Sequence, residues 1–224
     1  MKKARLCLVF LLIAAYSGYG WTDTYTHEVP IDANLPRRPL IAPLPVTVGV
    51  YYSPEFSTHT HEEMKEVEGD TIRYKFNLGF KSALLFDQVF SSMFEKVILV
   101  EKRPPLGPVG LELAAIIEPS IEEIKISAVR HRDIYKRSLV IITYRITLYS
   151  TSGVRLASYS VEGSGESRPS ASIGTKSFGE ATNFAMRDAA AQFMASFPDQ
   201  QGVREWFEDI GLVSSLLLHK RKER

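Results

Sequence analysis

The run Leu139-Val140-Ile141-Ile142-Thr143-Tyr144-Arg145-Ile146-Thr147-Leu148-Tyr149 constrains the fold of this chain more than any other stretch. Val140, Ile142, Tyr144, Ile146 and Leu148 fall on one side of an extended backbone, the period-two pattern of a long half-buried strand. Ser150-Thr151-Ser152-Gly153 then supplies turn residues, and Val154 to Gly163 reads as the return strand of a β-hairpin. The opposite side begins apolar at Leu139 and Ile141 but turns polar at Thr143, Arg145 and Thr147. Only one side is therefore committed to a core. The polar side is a candidate docking platform, with Arg145 and Tyr149 as its partner-binding candidates.

Val46 to Tyr52 and Thr71 to Phe76 also predict strands, the second alternating Ile72, Tyr74 and Phe76 with Arg73 and Lys75. An acidic loop is expected between them, from Glu55 to Asp70. From a cap at Asn77 to about Lys96, Phe86, Val89, Phe90, Met93, Phe94 and Val97 recur at helical spacing. Val97 to Val100 reads as a buried strand. Leu111 to Ile126 is strand-like, with a bend or bulge at Glu118-Pro119-Ser120. Ser177-Phe178-Gly179-Glu180 matches a capping box and opens a second long helix through Phe197, striped with Ala181, Ala185, Ala189 and Phe193. Those alanines allow a close approach to a sheet. Together these elements predict an α+β fold: a mostly antiparallel sheet of four or five strands, with two long helices packed on one face.

With 45% hydrophobic and 24% charged residues the chain has enough apolar content for one substantial core. Lys2, Lys3 and Arg5 precede an apolar run, and small residues follow at Ser17, Gly18 and Gly20, so residues 1–20 predict a signal peptide, the alternative being an uncleaved anchor. Its removal leaves 24 basic against 26 acidic residues and takes away Cys7, the sole cysteine. Near-neutral charge excludes a bulk nucleic-acid partner, and a chain without thiols excludes disulfides and a cysteine nucleophile. Residues 21–45, with five prolines, predict an extended linker. Within it, Leu35 to Pro39 is a second option for partner docking as a polyproline segment. The folded domain is expected over 46–197. Residues 198–224 predict a C-terminal amphipathic helix with partner-binding candidates Trp206 and Phe207, then a basic tail that could touch a membrane surface.

This order of elements, behind a leader and a Pro-rich segment, resembles the bacterial cell-envelope accessory proteins of the lipopolysaccharide-assembly, curli-secretion and penicillin-binding-protein-activator type, over about Val46 to Phe197. The resemblance implies a non-enzymatic protein that recruits or stabilises envelope machinery through a protein partner, in the periplasm or secreted. Those families are usually lipoproteins, and Cys7 lies too early for acylation after the apolar run. The alternative is a carrier of a lipid or other hydrophobic ligand, held between helices and sheet near Phe86, Phe90, Phe94 and Phe193.

Candidate chemistry is sparse. In an extended segment His59, His61 and Glu63 point to one side, a ligand set suited to zinc or non-haem iron, but the acidic loop offers no fourth ligand. No metal or other cofactor is assigned. Gly174-Thr175-Lys176-Ser177 lacks the glycine spacing of a phosphate-binding loop. Gly163-Ser164-Gly165 lacks the spacing of a nucleophile elbow, and no serine, histidine and acid are set in a recognisable triad. No enzyme activity is expected.

Overall fold

The structure, a computed structural model, describes residues 24–34, 43–67, 70–106, 112–131 and 135–212. The leader, Leu35 to Pro39 and the basic tail beyond Leu212 lie outside the described residues. The protein is α+β, with two sheets and, among the described residues, four helices. No helix among these residues is long and apolar enough to cross a membrane.

The predicted hairpin is the centre of the larger sheet. β7 (Tyr135–Tyr149) and β8 (Arg155–Glu166) pair antiparallel, with Tyr144 opposite Val161 and Leu139 opposite Glu166. Gly153 turns the chain at φ 91°, in the left-handed region that favours glycine. β6 (Ala115–His131) pairs antiparallel with the other side of β7 and shifts register between Ile121 and Glu123. It is one long strand through Glu118-Pro119-Ser120. β2 (Leu44–Val50) reaches only as far as Ile117, so Pro119 sits where β6 has no neighbour on that side and its missing N–H breaks no ladder.

Two corrections follow. The sheet order is β5-β2-β6-β7-β8, and β2 pairs parallel with both β5 (Phe94–Leu99) and β6, so the sheet is mixed rather than mostly antiparallel. The physical reason is the helix α2 (Leu78–Met93) between β2 and β5, which carries the chain back to the starting end of the sheet. A second, three-stranded sheet then occupies the region read as an acidic loop. Its strands are β3 (Thr60–Val67), antiparallel to β4 (Asp70–Asn77), and β1 (Thr24–Glu28), parallel to β4. Charged residues hid β3, because it lies at an edge with one side facing water. Before it, Ser53 caps the short helix α1 (Pro54–Ser57) by accepting the Phe56 N–H at 3.1 Å.

The expected linker is likewise structural over its described part. After β1, Val29, Ile31 and Ala33 are buried while Pro30, Asp32 and Asn34 face outward. The extended segment is a strap across both long helices. From α2, Gln88 Nε2 donates to the Ala33 carbonyl at 3.0 Å. From α3 (Thr175–Ser196), Asn183 Oδ1 accepts the Asp32 N–H at 2.8 Å and Arg187 pairs with Asp32 at 3.2 Å. Gly179 permits this contact, since a Cβ there would overlap the Pro30 carbonyl oxygen.

α2 and α3 cover one face of the five-stranded sheet. Phe86 stands edge-on to Tyr144 at 5.2 Å, and Phe86, Phe90, Phe193 and Phe197 continue as a chain of ring contacts. Each fully buried ring contributes about 1.5–3 kcal/mol. Tyr74 and Phe76 of β4 meet Phe178 of α3 at 4.9 and 5.9 Å, joining the smaller sheet to the same core. The caps differ from those expected. Asn77 makes no side-chain cap to α2, and Ser177 is the third residue of α3, where its hydroxyl accepts the Gly174 N–H at 3.0 Å.

α4 (Gln201–Asp209) folds back after a 3₁₀ turn at Phe197–Asp199. Trp206 and Phe207 are buried, and Trp206 Nε1 donates to the Ala114 carbonyl at 3.3 Å. These two partner-binding candidates are therefore core residues. Their amphipathic helix finds its apolar complement on its own domain.

Candidate functional site

Among the described residues helices cover one face of the five-stranded sheet; the other face is apolar where Ile116 is buried with Val100 and Leu113, and polar along β6, β7 and β8. In-register neighbours there are Glu118, Thr147 and Ser158, then Ser120, Arg145 and Ser160, with Arg155 beside Tyr149. Strand alternation dictates this set, because every second residue opposite Ile142, Tyr144, Ile146 and Leu148 must face away from the helices. The loop before α1 and the loop after β5 rise on either side. Between them lies a cleft of about 650 Å³, lined among others by Tyr51, Glu55, His59, Arg103, Glu118 and Arg145.

The electrostatics of the cleft are largely settled within it. Glu118 is buried, and Arg103 meets it with both prongs, Nε to Oε2 at 2.8 Å and Nη2 to Oε1 at 2.7 Å. That bonding raises the Arg103 pKa above its ordinary value. The same guanidinium lies 6.0 Å from the centre of the Tyr149 ring. Arg145 pairs with Glu122, donating from Nε at 2.7 Å and from Nη2. The Ser160 hydroxyl and then Arg145 hold the Glu122 carboxyl below its usual range. The hydroxyls of Thr147 and Ser158 meet at 3.3 Å. Arg155 is exposed, and among the described residues no carboxylate forms an ion pair with it.

The hairpin candidates Arg145 and Tyr149 thus line one cleft. His59, His61 and Glu63, to which no metal is assigned, are divided between the cleft and β3. His59 precedes β3 and lines the cleft, with its pKa lowered by burial and then by His61. His61 and Glu63 lie on β3, 3.7 Å apart, and the His61 ring packs 5.8 Å from Phe76. Among the described residues no three histidine, cysteine or acidic side chains could hold a metal ion. Lys176 and its neighbours at the start of α3 line a separate groove beside the strap.

Arg103, Glu118, Glu122 and Arg155 escape the sequence reading. Glu118 sits at the predicted bend or bulge and Arg103 lies 15 residues earlier, after the predicted strand Val97 to Val100, and their pairing is tertiary. The one available signal was strand phase: counting by twos from Thr143 puts Arg145 and Thr147 on the polar side, and hairpin pairing adds Arg155 and Ser158.

The cavity that a hydrophobic-ligand carrier would need is filled. Phe86, Phe90, Phe94 and Phe193 are all fully buried against one another and the sheet.

No family model and no curated protein matches the sequence. Among solved structures, the protein XCC0632 from Xanthomonas campestris, of family DUF330, aligns with a TM-score of 0.38 and 9% identity, over 76% of this chain and 93% of that one. A likeness this loose carries neither fold nor function across. The class that the chain's own fold defines is an α+β protein with two long helices on one sheet face and a polar cleft on the other.

Proposed function

We propose that this protein is an exported, non-enzymatic accessory protein of the bacterial cell envelope that binds another protein through the polar cleft on β6, β7 and β8. The observation that carries the reading is the polar cleft on the sheet face away from α2 and α3, with side chains held in fixed positions by Arg103–Glu118 and Arg145–Glu122. Pre-set side chains lower the ordering cost of binding, which suits a recognition surface. Export rests on the leader in residues 1–20 and on a mature sequence without cysteine. The filled space between helices and sheet favours protein binding over lipid carriage.

A photocrosslinking residue at Ser158, in the cleft, tests the reading in intact cells, with Phe80 on the exposed side of α2 as the comparison position. A discrete protein adduct is expected from Ser158 and not from Phe80. The reverse pattern would place docking on the helix layer and sink the reading.

A further inference from the structure

Three guanidiniums line the cleft, and two are already engaged. Arg103 is committed to Glu118 and Arg145 to Glu122, each through two donors. Both guanidinium charges are thus balanced inside the protein, and for the buried Glu118 loss of its partner would be severe. Arg155 differs. It opens β8 directly opposite Tyr149, is exposed, and has no carboxylate partner among the described residues. Its neighbours in the cleft are hydroxyls, Thr147 and Ser158, which supply further donors to an oxygen anion.

Glu55 of α1 lines the same cleft and bears on the kind of anion, as it too has no ion-pair partner among the described residues. A polyanion or a dianionic phosphate would be repelled by it more strongly than a single carboxylate, whose charge one guanidinium matches. We propose that Arg155 is the anchor for a carboxylate of the partner protein, supplied by an aspartate, a glutamate or a chain terminus. This rests on the proposal that the polar cleft is the docking surface.

The test uses the full-length chain with the photocrosslinking residue at Ser158, combined with Arg155→Glu, Arg155→Lys or no second change. Arg155 is exposed at a strand end, so these variants fold, which circular dichroism checks. Losing a charge-assisted contact and gaining repulsion predicts a drop of about tenfold or more in adduct for Arg155→Glu, with a smaller drop for Arg155→Lys. Mapping the adduct should find an acidic residue near the crosslinked site, and reversing its charge in the partner should restore adduct with Arg155→Glu. An adduct that persists undiminished in Arg155→Glu overturns the carboxylate anchor and leaves the docking face standing. Absence of any Ser158 adduct, with one forming at Phe80, overturns both.

Discussion

Tyr144 is the residue through which the hairpin grips the helix layer. It is fully buried, and its hydroxyl lies 2.8 Å from Ser82 Oγ on α2. Burial holds its pKa above the ordinary value, so the phenol stays neutral and keeps its hydrogen bond. Tyr144→Phe leaves Ser82 without that partner in a dry setting and should cost about 1–3 kcal/mol in urea unfolding. Ser82→Ala strands the phenol in the same way, so the double variant should cost clearly less than the two single losses added. A strictly additive result would mean the pair carries no coupling. The sequence placed Tyr144 on the core side by its phase in β7, but gave no sign of Ser82, which a hydropathy pattern reads as a solvent position. Only the meeting of strand and helix turns a serine into a buried partner.

Between elements, the closest approach is β8 on α3. A Cβ at Gly163 would overlap the backbone at Ala185 and Ala189, and one at Gly165 would overlap it at Ala181 and Ala185. The strand and the helix are thus in backbone contact, which glycine on one side and alanine on the other allow. Asp188 of α3 also accepts the Ser164 N–H at 2.9 Å. Gly163→Ala should therefore push the helix off the sheet and cost about 2–3 kcal/mol, read as a lower unfolding midpoint. An unchanged midpoint would show that the helix shifts without loss. The alanine stripe of α3 was legible because helical period makes it a face. β3 was not, since an edge strand with consecutive charged residues at Glu62-Glu63 and Lys65-Glu66 resembles a solvated loop until β4 is beside it. Likewise α4 was legible as an amphipathic helix, while the destination of Trp206 and Phe207 was not.

For the whole molecule, the strap ties the smaller sheet to the helix layer. Val29 and Ile31 are more than nine-tenths buried, and burying such side chains contributes about 1.5–3 kcal/mol each. A chain beginning after Asn34 should lose about 3 kcal/mol or more in denaturant unfolding, and also β1. Equal stability of the shortened chain would return this segment to the role of spacer. The prolines that made it read as a linker rule out helix, but not an extended run whose alternate residues enter a groove. The sequence by itself determined what depends on neighbours along the chain: the hairpin, its buried and polar sides, the two long helices and the α+β class. Periodicity records which side of each element avoids water. The tertiary structure alone decided the parallel placement of β2, the second sheet, the strap, the burial of Trp206 and Phe207, and the Arg103–Glu118 pair in the same cleft as Arg155. Each of these depends on partners distant in sequence, and a local pattern shows that a surface must be covered without showing what covers it.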